Sequence, residues 1–424
     1  MVYQHVPESA VPAARHQDVA NRASIRRTNL GLILRRLRNV GPRSRTLLAE
    51  DLGLPKATIS NLVNELVERN LVREGDVQRG GSIGRPRQAV ELYGRTLCGL
   101  GVEISVDYAR AIALDLRGDM ILDQRITISP KQDSDALLDA VAALLARAID
   151  RVRADGVDVI GITVAAPGEI DQDTGVVIFA ANMGWSHLPI VSGLTARLGP
   201  HAPPVTLGND ARLGAIAEYA VAGTFGVHNL IYITGEVGVG AGIITNGQLF
   251  LGAAGFAGEV GHMPLDPDPQ PCACGRRGCW ETMVGLAALM RHAAEPDDPV
   301  RDPTRDLEDR LAEIRSRAAA GDSRTLAALD RIAHGLGLGI GLLVDILNPQ
   351  AVVLGGYFAI LSDHLLDTVR QVVDDRAMAP NAGGCRLLAS TLGFTSAARG
   401  AAQAALESVF ADPGSVSAPP DSSS

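Results

Sequence analysis

The sequence predicts an α/β protein with a small, basic, helical head followed by a larger, acidic body. Three observations carry this. Hydrophobic periodicity is helical to about residue 70, and from Leu97 onward strand-like runs alternate with helical stretches. Charge divides at the same place: residues 1–95 hold 16 Lys or Arg against 9 Asp or Glu, a net +7, whereas the remainder holds 23 against 39, a net −16. Between His262 and Cys279, one histidine and three of the chain's five cysteines follow in the order H-x9-C-x-C-x4-C.

At 424 residues the chain is long enough for two or three domains. No apolar run is read as reaching the roughly 18–20 residues of a membrane-spanning helix, and the N-terminus is polar where a signal peptide needs its apolar stretch. Only Cys98 and Cys385 stand outside the cluster, so a disulfide framework is not expected and a reducing, cytoplasmic setting fits. Residues 1–22, and the Ser- and Pro-rich end over 411–424, read as disordered tails.

Residues 23–95 read as a DNA-binding domain. Ile25, Leu30, Ile33, Leu34 and Leu37 recur at helical spacing, and Pro42 breaks that helix. A short helix follows from about Ser44 to Leu52, Gly53 turns the chain, and Pro55 opens a longer helix, where its fixed φ and missing N–H are tolerated. Ile59, Leu62, Val63, Leu66 and Val67 form the buried stripe of that third helix. Lys56, Thr58, Ser60, Asn61 and Asn64 lie toward its other side, where short polar groups reach base edges in a major groove. Arg43 and Arg45, ahead of the second helix, are further candidate DNA contacts. Two strands, LVREGDV and QAVEL, flank the Gly-rich loop QRGGSIGRPR, which has the form of a wing; its Arg79, Arg85 and Arg87 enter a minor groove or pair with phosphates. Helix, turn, helix and wing on a basic domain point to operator DNA as partner.

In the body, LCGLGVEI, ARAIALDL and MILDQRITI read as three successive strands, a helix follows over about 135–153, and VDVIGITVAA is a buried strand closed by Pro167 and Gly168. TLGND places Asn209 and Asp210 at another strand's end, where open α/β sheets gather their ligands. NLIYIT and GAGIITNG continue as a hairpin, and HGLGLGIGLLVDILNP is a buried helix whose glycines permit close packing.

Three thiolates and one imidazole within eighteen residues suit a structural zinc ion, with His262, Cys272, Cys274 and Cys279 as a closed tetrahedral set. A disulfide or a chance cluster of thiols is the competing reading, and the turn residues Gly275 and Gly278 count against it.

The string Gly258, Glu259, Gly261, His262, then Cys272, Cys274, Gly275, Gly278, Cys279 and Glu281, together with the NDA string at Asn209, Asp210 and Ala211 and AVVLGG ending at Gly355 and Gly356, resembles the ROK family (repressor, open reading frame, kinase) over roughly residues 23–410. The resemblance implies a winged helix-turn-helix followed by a two-lobed actin-like ATPase body, with lobes at 96–215 and 216–410 and the last helix returning to the first lobe. It further implies that Asn209, Asp210, Glu259, His262 and Glu281 line a pyranose pocket, with Asn182 joining from the opposite lobe. Sugar hydroxyls both donate and accept, so carboxylates and amides suit them.

In the kinases of this family Asp210 would be the general base. Their first phosphate loop resembles D-x-G-G-T-K, where this chain has Glu103, Ile104, Ser105, Val106, Asp107 and Tyr108. Their second reads G-T-G-x-G-G-G, where this chain runs from Glu236 through Val237, Gly238, Val239, Gly240 and Ala241 to Gly242. Since phosphoryl transfer is mostly phosphate positioning and charge stabilisation, these losses disfavour ATP binding. The expectation is therefore a sugar-responsive regulator, a repressor of carbohydrate uptake or catabolism released by a monosaccharide or its derivative, acting as a homodimer or homotetramer. The alternative is a ROK-type sugar kinase with a DNA-binding head.

Overall fold

The structure is a computed structural model that describes residues 14–78, 87–94, 96–129, 132–223, 226–253, 255–378 and 383–416, with the side chains of 14–22, 76–78 and 87 outside the description. The chain forms two compact units: the head, to Tyr93, together with the segment from Glu407, and the body, Gly94–Leu406.

Three helices build the head: α1 (Ala14–Val40), α2 (Arg45–Leu52) and α3 (Lys56–Glu68). Leu30, Ile33, Leu34 and Leu37 of α1 meet Leu48 of α2 and Ile59, Leu62, Val63 and Leu66 of α3 as the buried residues. Ile25 does not join them; it is 55% exposed, because the stripe it would extend has no neighbour to cover. Ser44 caps α2, accepting from the Leu47 N–H at 3.3 Å, and Gly53 ends it at φ +64°, a left-handed turn that glycine adopts without strain. The short strand β1 (Arg43–Ser44) and the pair β2 (Val72–Gln78) and β3 (Arg87–Leu92) form an antiparallel sheet in the order β1-β3-β2. The expected wing loop, with Arg79 and Arg85, lies outside the described residues, as do residues 1–13 and 417–424.

Both tail boundaries need correction. Helix α1 starts at Ala14, upstream of the boundary expected at 23. At the other end, Glu407 pairs with Arg35, the Arg38 guanidinium lies 4.2 Å from the Phe410 ring, Asp412 pairs with Arg27 at 3.6 Å, and the Val416 carbonyl accepts from Arg69 at 2.5 Å. Residues 407–416 thus complete the head's surface by ion pairs and one aromatic ring, and 411–416 are not a bare tail.

The body repeats one design twice. In the first sheet, β4 (Leu97–Ile104), β5 (Tyr108–Asp115) and β6 (Met120–Thr127) form an antiparallel meander; helix α4 (Ser134–Ala154) then leads to β7 (Asp158–Ala166). A small three-stranded flap of β8 (Glu169–Asp171), β9 (Val176–Ala180) and β10 (Trp185–Leu188) precedes α5 (Ile190–Leu198) and β11 (Val205–Asn209), giving the order β11-β7-β4-β5-β6 with β11, β7 and β4 parallel. Helix α6 (Asp210–Ala222) leads to the second sheet, where the meander is β12 (Leu230–Gly235), β13 (Val239–Thr245) and β14 (Gln248–Leu249). The segment through the cysteines ends in α7 (Trp280–Val284) and α8 (Leu286–Ala293), followed by α9 (Leu307–Ala319) and α10 (Ser323–Leu347). Strand β15 (Ala351–Gly356), helices α11 (Tyr357–Ile360) and α12 (Ser362–Arg376), strand β16 (Arg386–Ala389) and α13 (Ser396–Ala411) finish the chain, and the second sheet runs β14-β13-β12-β15-β16.

Helix α6, across which the first lobe was expected to end at 215, packs on β12 and β13 of the second sheet. Helix α13 returns to the first sheet as expected: Gly99 and Gly101 of β4 lie against the α13 backbone at Ala398 and Ala402, where any Cβ would collide. Helix α10 is long and apolar enough to cross a membrane, which the run lengths read above did not anticipate, yet it serves as a core helix, with two thirds of its most apolar window buried. Trp280 explains the glycine at 339. The buried indole donates to the Gly335 carbonyl at 2.8 Å and lies where a Gly339 Cβ would project.

Candidate functional site

The carboxyl ends of β4, β7 and β11 share one sheet edge, since Glu103 is in register with Ala165 and Asn209 with Ala166. That edge opens into a cleft of about 850 Å³, solvent at its mouth included, and all six residues expected to contact a sugar line it: Asn182, Asn209, Asp210, Glu259, His262 and Glu281. Asn209 is fixed from both sides, its Nδ2 donating to the Gly168 carbonyl at 3.2 Å and its Oδ1 capping α6 by accepting from the Arg212 N–H at 3.1 Å. Asp210 Oδ1 accepts from the Ala211 N–H at 2.7 Å. Asn182 sits in the turn after β9, across from Gly238; a Cβ at Gly238 would lie 2.8 Å from Asn182 Nδ2 and 3.1 Å from Glu281 Oε2, so glycine there keeps the cleft open.

Burial pushes the Asp210 carboxyl up to about 6, the Ala211 N–H opposing and Glu259 adding to the rise. Burial likewise raises Glu259, with Arg212, 3.7 Å away, pulling against it. Arg212 also donates to the Ala257 carbonyl at 3.2 Å and so positions the Glu259 segment. The sequence reading passed over this residue; a lone arginine three positions after a helix-capping asparagine was its only signal. Behind Asp210 stands Glu103, 2% exposed, accepting from the Tyr108 hydroxyl at 3.1 Å while its Oε2 has no hydrogen-bond partner. Burial first, then the Glu236 and Asp210 charges, hold its carboxyl well above the usual range. Glu236, raised to about 7 by burial and by Asp210, accepts from the Ser105 hydroxyl at 2.9 Å.

His262, Cys272, Cys274 and Cys279 bring their ligand atoms within 4.8 Å of one another. Cys274 and Cys279 Sγ are 3.7 Å apart, and His262 Nδ1 is 3.8 Å from Cys272 Sγ. A tetrahedron with metal–sulfur bonds of about 2.3 Å has edges of roughly 3.8 Å. The set is close enough to hold a metal ion. Left-handed Gly275 and Gly278 make the turns that fold the cysteines back, and the Cys272 N–H donates to the Arg276 carbonyl at 2.8 Å. Glu281 abuts the set, its Oε1 2.7 Å from Cys272 Sγ and 3.7 Å from His262 Nδ1.

In the head, Lys56, Asn61 and Asn64 are exposed and Thr58 and Ser60 partly so, all on the side of α3 away from its buried stripe. Arg43 and Arg45 are engaged within the head itself: Arg45 donates to Glu74 at 2.7 Å and to the Ser60 carbonyl at 3.2 Å, and Arg43 lies 3.4 Å from Asp51. Arg87 begins β3, with its side chain outside the description.

A helix-turn-helix head carried on a two-sheet α/β body with a ligand cleft and a Cys3His set defines a class of protein. The chain belongs to the ROK family, whose model matches residues 99–408, and an IclR helix-turn-helix domain matches residues 29–76. It is 31% identical over 396 residues to a xylose repressor of Bacillus spizizenii, covering 92% of this chain and 98% of that one. It is 32% identical over 308 residues to a glucokinase of Halalkalibacterium halodurans, covering 69% and 90%. Among solved structures, a ROK family transcriptional regulator described as a homologue of the E. coli MLC protein superposes with a TM-score of 0.74 at 24% identity, covering 92% of this chain and 97% of that one. The fold is thus a helix-turn-helix domain followed by the actin-like ROK body.

Proposed function

We propose that the chain is a sugar-responsive repressor of a carbohydrate uptake or catabolism operon, acting in the cytoplasm as a homodimer or homotetramer that leaves its operator when a monosaccharide occupies the cleft. The observation that carries this reading is the meeting of six hydrogen-bonding side chains, Asn182, Asn209, Asp210, Glu259, His262 and Glu281, on one cleft in a chain that also bears a DNA-binding head. The xylose repressor, similar along nearly its whole length, supports it.

Zinc suits the Cys3His donors, and the ion would fix the turn that carries His262 and stands against Glu281. With Nδ1 in the ligand set, Nε2–H is the ring nitrogen left to donate to a sugar hydroxyl. Asn182 and Asn209 belong to the segment of the first sheet and Glu259, His262 and Glu281 to that of the second, so a sugar held by both sets favours one lobe arrangement. A ligand shifts an equilibrium only through its differential affinity, so the favoured arrangement is the one that does not hold two operator half-sites. Two heads on a two-fold axis would read those half-sites, with Lys56, Thr58, Ser60, Asn61 and Asn64 at base edges and Arg79, Arg85 and Arg87 on the wing. Arg43 and Arg45 enter as buttresses of the head rather than as free DNA contacts, because Asp51 and Glu74 already hold them.

The glucokinase relative and the intact Asp210 favour a second reading, a sugar kinase. Against it, Ser105 and Glu236 stand in the two loops that would cradle phosphates, and they bond to each other. ATP consumption over a panel of hexoses and pentoses, with Asp210→Ala as control, decides: no turnover above the control is expected, and Asp210-dependent turnover would overturn the repressor-only reading.

A further inference from the structure

We infer that the cleft selects unphosphorylated sugars, and that Glu236 is the residue that sets this specificity. The inference rests on the reading of the cleft as a sugar site and narrows its ligand to uncharged or cationic pyranoses.

Recognition of a phosphate needs Lys or Arg, a helix N-terminus or a nest of free N–H groups. Among the described residues, none that lines the cleft is Lys or Arg, whereas Asp210, Glu236, Glu259 and Glu281 all line it. The Arg212 guanidinium, next to the cleft residue Glu259, is buried and directed to Glu259 and the Ala257 carbonyl. Helix α6 does aim its N-terminus at the cleft. Its leading N–H groups, however, are taken by the chain's own side chains, Ala211 by Asp210 and Arg212 by Asn209. In the turn after β12 the Glu236 N–H is likewise taken, donating to the Gly238 carbonyl at 3.0 Å. The Ser105 hydroxyl holds the Glu236 side chain at 2.9 Å, and Glu236 lines the cleft close enough to Asp210 to feel its charge, so this carboxyl stands beside an expected sugar contact. Glu103 backs the same region with a further buried carboxyl. A dianion entering here would lie among the carboxyl groups of Asp210, Glu236, Glu259 and Glu281, with no Lys or Arg among the described lining residues to offset them.

The test is calorimetric titration of the full chain with D-xylose and D-glucose and with α-D-xylose 1-phosphate and glucose 6-phosphate, which keep the pyranose ring, repeated on Glu236→Gln. At least one free sugar is expected to bind, and its phosphate at least 100-fold more weakly. Glu236→Gln, which still accepts the Ser105 hydroxyl, is expected to shrink that gap at least ten-fold. A sugar phosphate binding within ten-fold of its free sugar, or more tightly, overturns the inference while leaving the sugar site standing. An unchanged gap in a folded Glu236→Gln removes Glu236 as the selecting residue. No response to any of the four compounds overturns the sugar reading and the inference with it. The wild-type comparison decides the ligand class by itself should the variant fail to fold.

Discussion

Glu281 stands with Oε1 2.7 Å from Cys272 Sγ, while its other oxygen borders the cleft near Gly238 and Asn182. One carboxylate therefore touches both the Cys3His set and the cleft. Loss of the metal should propagate to the sugar through this residue and through His262, a member of both. Cys274→Ser is expected to lose bound zinc and sugar affinity together and to keep operator affinity in the absence of sugar. Metal analysis beside calorimetry checks it; sugar binding that survives metal loss would return the cluster to the role of a remote clip.

The acidic residues behind the cleft give the body a pH dependence of definite sign. Glu236 moves from an ordinary 4.5 to about 7 and Asp210 from 3.8 to about 6 on folding. A raised folded-state value means the folded form favours the proton. The associated stability is complete below the ordinary values and is lost as pH rises toward about 7. Glu236→Gln, permanently neutral, is expected to melt higher than the wild type at pH 8, by an amount on the order of 1 kcal/mol because the side chain is partly open to the cleft, and to show a smaller difference at pH 5. Melting curves at the two pH values read this directly, and a gain confined to low pH would reverse the assignment.

Two glycines of α10 separate packing from propensity. A Cβ at Gly339 would enter the buried Trp280 indole, so Gly339→Ala is expected to destabilise the body by about 1–3 kcal/mol. At Gly341 the nearest atom, Arg376 Cβ, is 3.7 Å away, an ordinary contact, and alanine's helix preference should make Gly341→Ala neutral or stabilising by up to about 1 kcal/mol. Urea unfolding of the two variants side by side gives the comparison, and equal effects would remove Trp280 as the reason for the glycine at 339.

The head offers a parallel separation. Lys56→Ala is expected to weaken binding to all DNA sequences and to lower the salt slope of log K by about 1. Asn61→Ala should instead reduce discrimination for the operator, by about 1–3 kcal/mol if it reads a base pair. Arg45→Ala should appear as a lower melting temperature, since Arg45 ties Glu74 and the Ser60 carbonyl together. Binding measured over a salt series on operator and unrelated DNA, beside thermal melts, assigns each residue.

What was legible in the sequence was local. The four residues close enough to hold a metal ion lie within eighteen residues, and the Asn209–Asp210 pair is marked by the strand before it and the helix after it, so their spacing carries the geometry. The helices of the head declared themselves by periodicity and by the turn residues Gly53 and Pro55. What escaped were pairings between distant positions. Sequence places Ser105 and Glu236 in the two segments expected to correspond to phosphate loops, but does not show that Ser105 bonds Glu236 across 131 positions. The glycine spacing of α10 signals close packing without naming Trp280 as what fills the space. The ion pairs from Arg27 and Arg35 to Asp412 and Glu407 are invisible to periodicity, which is why the C-terminal boundary was misplaced. Ile25 fits the helical stripe perfectly well and is still exposed, because periodicity reports a face and not whether anything covers it.

The central claim, that a sugar in the cleft governs DNA binding by the head, is tested most directly by measuring the affinity of the full-length protein for an operator fragment while titrating the sugar that calorimetry shows to bind. The account expects affinity to fall at least ten-fold at saturating sugar, and this response to vanish in Cys274→Ser; operator affinity unchanged at saturation in the wild type would contradict it.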